Sequence, residues 1–146
     1  MFNVNKIMVP TDFSEASYKA LKKASDLAEV FNAEIYLLHV KNIDVALIEQ
    51  YLSEDIIKEL NEKAIKDLNE SFEKQIKECV KSGIKVNPVI KEGIAYQEIL
   101  KAEGEFGVDL VVIASHTKTF FEDVLFGSTT EKVVRRSKKS VLVVRN

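Results

Sequence analysis

Short runs of β-branched and aliphatic residues alternate with longer stretches of helical periodicity along the whole chain, and this alternation is what most restricts its fold. Ile7-Met8-Val9, Ile35 to Val40, Ile84 to Ile90, Asp109 to Ala114 and Val141 to Arg145 each read as strands. Between them, Ala20, Leu21, Ala24, Leu27, Ala28 and Phe31 recur at helical spacing. Ile57, Leu60, Ala64, Leu68, Phe72, Ile76 and Val80 do the same along one long helix from Ser53 to Lys81, closed by Ser82-Gly83 as a C-cap pair. A third helix is expected over Ala95 to Glu105, and a fourth from Ser128. Lys41 to Leu52 reads equally as a loop or a short helix. Strands that alternate with helices imply right-handed crossovers and a parallel sheet covered on both faces. The apolar run Val111-Val112-Ile113-Ala114 suits a central strand of such a sheet. Pro88 removes a ladder donor and places the third strand at an edge. The expected fold is therefore α/β, a single doubly wound domain over residues 1–146 with a five-stranded parallel sheet.

Composition narrows the function classes. A chain of 146 residues with 46% hydrophobic and 30% charged residues has the makeup of an ordinary globular protein. A net charge of −2 gives no reason to expect nucleic acid or a membrane surface as partner. The basic cluster Lys132, Arg135, Arg136, Lys138 and Lys139 lies late in the last helix and its exit, where it complements the helix dipole as a solvated face. One cysteine, Cys79, rules out an internal disulfide and fits a reducing compartment. With no signal-peptide pattern and no apolar run of membrane-spanning length, the expected location is the cytoplasm.

In open α/β sheets, ligands sit beyond the carboxyl ends of the strands, where the strand order reverses. Three segments compete for that place: Pro10-Thr11-Asp12, Val40, and Ser115 to Gly127. Asp12 directly follows an apolar strand and has two readings, a helix cap shared with Ser14 or a ligand for magnesium beside phosphates. Ser128 stands three residues before Glu131, a capping-box spacing that starts a helix there. Gly127, Ser128, Thr129 and Thr130 then offer backbone N–H groups and hydroxyls to an anion, phosphate being the commonest at such a site. His116, in the loop after the fourth strand, either donates to a ligand or is simply solvated. His39 reads as a satisfied core residue.

Several chemistries find no support. The two histidines lack metal-ligand spacing, and no Gly-x-Ser-x-Gly elbow, P-loop or Gly-x-Gly-x-x-Gly turn occurs. The third strand ends Val89-Ile90-Lys91, without the aspartate that a phospho-acceptor domain needs. No base for a hydrolase or transferase can be named, so a dedicated enzyme ranks last.

Three blocks of residues do carry a resemblance. Val9-Pro10-Thr11-Asp12-Phe13-Ser14, Leu37-Leu38-His39-Val40, and Gly127-Ser128 ahead of Ser140-Val141-Leu142-Val143-Val144 resemble the universal stress protein family, in order and over essentially the whole chain. The resemblance implies dimerisation through the last strand. Val141, Leu142, Val143 and Val144 suit that role, because an open apolar edge invites pairing and a two-fold interface covers it.

The ATP-binding branch of that family carries Gly, two residues, Gly, nine residues, then Gly-Ser or Gly-Thr. Here those positions are Ala114, Ser115-His116, Thr117, Lys118 to Phe126 and Gly127-Ser128, so the spacing is kept and both leading glycines are replaced. Ala114 is tolerable at negative φ. Thr117 resists positive φ and brings bulk toward a ligand. The resemblance further implies that Asp12 faces the phosphates and magnesium with Pro10, Thr11, Ala114, His116 and Thr117 also at the nucleotide, that Val40 and Ile113 flank adenine, and that Gly127, Ser128 and Thr129 take the terminal phosphates. Two classes follow. One is a dimeric regulatory protein that binds ATP with at most slow hydrolysis. The other is a dimeric stress or interaction module whose altered loop, with Ala114, Thr117 and the pair Phe120-Phe121, serves partners instead of ATP.

Overall fold

A computed structural model describes residues 1–42, 50–116 and 127–145. In chain order the elements are β1 (Lys6–Pro10), α1 (Glu15–Phe31), β2 (Glu34–Lys41), α2 (Glu54–Cys79), β3 (Val86–Glu92), α3 (Ala95–Glu105), β4 (Leu110–Ala114), α4 (Ser128–Arg136) and β5 (Ser140–Val144). All strand pairs are parallel, in the order β3-β2-β1-β4-β5. The five-stranded parallel α/β sheet read from the periodicity is the observed architecture. Strand order reverses between β1 and β4, and β3 with its Pro88 lies at an edge.

Period-two alternation divides the central strands between two cores. Ile7, Val9, Ile35, Leu37, Leu110, Val112 and Ala114 point to one face, where Ala20, Leu21 and Ala24 of α1 and Phe72 and Cys79 of α2 cover them. Met8, Leu38, Val111 and Ile113 point to the other, beneath Ile99 and Ala102 of α3 and Val133 of α4. The sheet is thus wound on both faces. Cys79 is a free, buried cysteine in this core, and burial pushes its thiol above the usual range.

Some expected boundaries moved, each for a tertiary reason. The third strand begins at Val86 instead of Ile84 and runs on to Glu92, because β2 offers it partners from Ile35 to Lys41. The long helix ends at Cys79, with Val80 as an extended C-cap. Gly83, at φ 88°, belongs to the following turn and not to the cap. The chain leaves the helix where the Lys81 N–H donates to Ser25 Oγ at 2.9 Å, with the Lys81 ammonium between Asp26 and Glu29. Helix α1 closes on Asn32 in the left-handed region at φ 55°, a stop signal not singled out from the sequence.

The apolar stripe of α2 is only partly used. Phe72, Gln75 and Cys79 are buried, whereas Leu60 is 49% exposed and Ile57, Ala64 and Leu68 are half-buried. The C-terminal turns alone join the core. The part of the Lys41 to Leu52 reading that falls on residues 43–49 lies outside the described residues. Among the described residues no helix is long and apolar enough to cross a membrane.

The uneven burial of α2 sets up a direct comparison. Phe72→Ala should cost about 3–5 kcal/mol, as for other large core truncations. Leu60→Ala on the same helix should stay within about 1 kcal/mol. Urea unfolding of both variants checks this, and similar losses for the two would mean that the whole stripe is covered.

Candidate functional site

The reversal point forms a cleft because β1 and β4 stop pairing early. Their ladder is recorded at Ile7↔Leu110 and Met8↔Val111, after which the strands run on to Pro10 and Ala114 beside different neighbours. Thr11 N–H donates to Leu38 O at 2.8 Å, and Ser115 N–H donates to Val144 O at 2.9 Å. The cleft between them has a volume of about 210 Å³. Pro10 of β1 with Thr11 and Asp12 after it, Leu38, His39 and Val40 of β2, Ile113 and Ala114 of β4, Ala95 and Ile99 of α3, and Thr129 and Thr130 of α4 line it. Its size is below the 300–1,000 Å³ of typical ligand pockets, so it accommodates one end of a larger ligand.

Eight of the residues singled out from the sequence as ligand candidates meet in this cleft: Pro10, Thr11, Asp12, Val40, Ile113, Ala114, Thr129 and Thr130. Gly127 and His116 stand together just beyond it. The Gly127 N–H donates to Ser115 O at 2.8 Å, and a Cβ on Gly127 would meet the His116 Cβ at 3.4 Å. Ser128 is exposed on the first turn of α4. Thr117, the Lys118 to Phe126 segment and the Phe120-Phe121 pair lie outside the described residues.

The expected capping box at Ser128 is corrected. Gly127 is the N-cap and makes no side-chain cap bond, while Glu131 pairs with Arg135 at 3.1 Å instead of reaching back. Two of the groups expected to be available are also committed. The Gly127 N–H is held by Ser115, and the Thr130 hydroxyl donates to Ala114 O at 2.7 Å, locking the start of α4 onto the end of β4. What the first turn offers is the N–H groups of Ser128, Thr129 and Thr130, which have no acceptor inside the helix. They sit at the positive end of its dipole.

Asp12 resolves the cap question in an unexpected way. Ser14 is the N-cap of α1, its hydroxyl accepting from Ser17 N–H. Asp12 Oδ1 accepts from Ser14 N–H at 2.9 Å and shapes the turn before the cap. Between them Phe13 adopts φ 63°, a left-handed conformation that a bulky side chain rarely takes. Ala114, by contrast, is an ordinary strand residue with negative φ, so replacing glycine there introduces no backbone strain.

His39 is a cleft residue that sequence reasoning placed in the core. Its Nδ1 lies 2.8 Å from Thr11 O, and its ring packs on Phe13 with centroids 4.9 Å apart. A carbonyl only accepts, so Nδ1 carries a proton and donates it to Thr11 O. Ala95 and Ile99 were also missed, since their helical spacing reads only as packing. Beside Ala95, Lys132 Nζ lies 4.6 Å above the Tyr96 ring and Arg136 Cζ lies 5.2 Å from it. A hydrogen bond from Gln97 and the neighbouring Arg136 and Lys132 charges hold the Tyr96 phenol below its usual range. The α3–α4 rim is therefore cationic. Among the described residues no three His, Cys, Asp or Glu side chains gather as a metal site. The acid in the cleft is Asp12, a donor set that suits magnesium only with ligand oxygens completing its shell.

Comparison with known proteins agrees with this architecture. The universal stress protein MJ0577 of Methanocaldococcus jannaschii is 35% identical, with 96% of this chain and 94% of that protein covered. Its solved structure superposes with a TM-score of 0.82 at 36% identity, over 98% of this chain and 96% of that one. The universal stress protein of Archaeoglobus fulgidus in complex with dAMP shares the fold at TM-score 0.63 and 18% identity, with 98% of each chain covered. A universal stress protein in complex with cAMP does so at TM-score 0.66 and 19% identity, again with 98% of each chain covered. A model described as "Universal stress protein family" matches residues 3–145, and this chain belongs to that family.

Proposed function

We propose that this protein is a regulatory adenine-nucleotide binder that holds ATP with magnesium in the β1–β4 cleft and works as a homodimer. One juxtaposition carries the reading. Asp12 and the open first turn of α4 converge on a single apolar cleft flanked by Val40 and Ile113. The base would enter between Val40 and Ile113. The phosphates would meet the N–H groups of Ser128, Thr129 and Thr130, where helix geometry and dipole favour negative charge. Asp12 would supply one carboxylate oxygen to magnesium, the phosphates supplying others. Two distant relatives solved with dAMP and cAMP support the choice of an adenine nucleotide. Binding would serve regulation, with at most slow hydrolysis, because no general base can be named from the sequence.

A second reading, an interaction module without nucleotide, draws on the replaced glycines at 114 and 117. The negative φ of Ala114 leaves Thr117 as the residue on which the choice rests. The dimer would form through β5. It is an edge strand with Leu142 37% exposed and Val141, Val143 and Val144 half-buried, whereas the opposite edge carries Pro88 and Lys91.

Calorimetric titration with ATP and Mg²⁺ should show weak binding to the native chain and tighter binding to Thr117→Gly. Heat from the variant alone would establish the interaction-module reading, and heat from neither would end the nucleotide reading. Asp12→Asn should raise the magnesium-ATP dissociation constant by about tenfold or more, the worth of one charge-assisted contact. That loss should vanish when EDTA replaces magnesium; an equal loss without metal would confine Asp12 to shaping its turn. Light scattering should give twice the chain mass, and Leu142→Lys should shift it toward the monomer. A monomeric native protein at high concentration would overturn the β5 interface.

A further inference from the structure

The buried face of α2 contains one polar residue that the fold does not require. Phe72, Gln75 and Cys79 form that face, and Gln75 is 0% exposed. Burying an amide is unfavourable unless its oxygen and nitrogen both find partners. Gln75 finds them 64 and 58 residues earlier, where its Oε1 lies 2.9 Å from Thr11 Oγ1 and its Nε2 lies 3.5 Å from Ser17 Oγ. Thr11 and Ser17 are themselves buried, at 6% and 1% exposure.

Proton bookkeeping orients this triad. Ser17 donates its hydroxyl proton to Ser14 O at 2.7 Å, so its oxygen is an acceptor toward Gln75. Thr11 then donates to Gln75 Oε1, and its oxygen accepts the Phe13 N–H at 3.0 Å. Every buried side-chain polar atom among the described residues has a partner in this arrangement. Phe72, one turn before Gln75 on α2, packs its ring edge-on against Phe13 with centroids 5.2 Å apart. Helix α2 therefore grips the β1–α1 turn twice, at the Phe13 ring and at the Thr11 hydroxyl that anchors the Phe13 amide. The gripped turn is the one that holds Phe13 at φ 63° and presents Asp12.

We infer that Gln75 is a positioning residue for the β1–α1 turn, acting through Thr11 to set the place of the Asp12 carboxylate in the cleft. Its consequence for ligand affinity rests on the nucleotide reading above, whereas its consequence for the turn does not. An apolar side chain of the same length would fill the space as well and would leave Thr11 free to turn its proton to Ser17, 3.0 Å away. The amide thus selects one hydroxyl orientation and, through it, one geometry of the turn.

The test compares Gln75→Met, which keeps length and apolar volume, with Cys79→Ala, which loosens the same face one turn away. Amide hydrogen exchange is measured first, without ligand. In Gln75→Met, exchange at Phe13 and Ser14 should rise about tenfold relative to the middle of α1, and Cys79→Ala should leave that ratio unchanged. Magnesium-ATP titration follows. The dissociation constant should rise about three- to tenfold in Gln75→Met and stay at the native value in Cys79→Ala. Unchanged exchange at Phe13 and Ser14, or an equal rise in both variants, would reduce Gln75 to a packing residue and overturn the inference. If the native chain binds no nucleotide, the proposed function fails while the ligand-free exchange still decides the role of Gln75.

Discussion

The structure depends on β1 and β4 being packed side by side between two helical layers and then parting. Met8 and Val111 are both fully buried and form the last recorded pair of that ladder. Below them the sheet behaves as a continuous apolar slab, with alternate side chains filling the α1–α2 core and the α3–α4 core. Above them β1 leans on β2 and β4 leans on β5, and the backbone separates around a small cleft. Winding helices to opposite faces on either side of this pair is what keeps crossovers from covering the gap. The place of the site is therefore a consequence of connectivity, and the local residues decide only what it can hold.

At both ends of the sheet, polar groups are spent mostly on holding backbone in place. Thr130 fastens α4 to β4, Ser115 fastens Gly127, Ser14 caps α1, and Asp109 accepts the N–H groups of Asn5 and Lys6 where β1 begins. Buried Glu103 does similar work at the exit of α4, accepting from the Ser137 hydroxyl and the Lys138 N–H. The cleft itself is faced by Thr129 and Thr130 on the first turn of α4 and by Asp12 in its turn, while Lys132 and Arg136 stack on Tyr96 next to Ala95. The anionic ligand with an apolar end proposed above would meet that lining. Long α2 stands apart, with its last turns in the core and its earlier apolar residues largely uncovered.

Much of this was readable in advance, and the reasons differ from element to element. Val111 to Ala114 is legible because a strand buried on both faces has no polar alternate. Helix α3 runs over the expected residues Ala95 to Glu105, with Gly93 at φ 139° in the turn before it and Gly107 at φ 63° in the turn after it. Pro88 marked an edge because it cannot donate. Less legible was anything set by a distant partner. Leu60 and Phe72 share one periodic stripe, and nothing local says that only Phe72 is covered. Ser128 and Glu131 have capping-box spacing, yet Gly127 takes the cap after Ser115 draws in its amide.

Sequence by itself determined the class of fold, the number of strands, the edge at β3 and the three loops where a ligand could sit. Each of these follows from side-chain period, backbone restrictions or short-range spacing, which act within a few residues. Tertiary structure alone decided that Asp12 braces its turn and does not cap α1, that His39 reaches the cleft, and that Gln75 ties α2 to Thr11. The last two depend on hydrogen-bond partners brought together from separate elements, 28 residues apart for His39 and Thr11 and 64 for Gln75 and Thr11, whereas Asp12 accepts from Ser14 two residues on. A buried amide or hydroxyl carries no sign in the sequence of which partner will satisfy it. Only the packed sheet and helices make that choice.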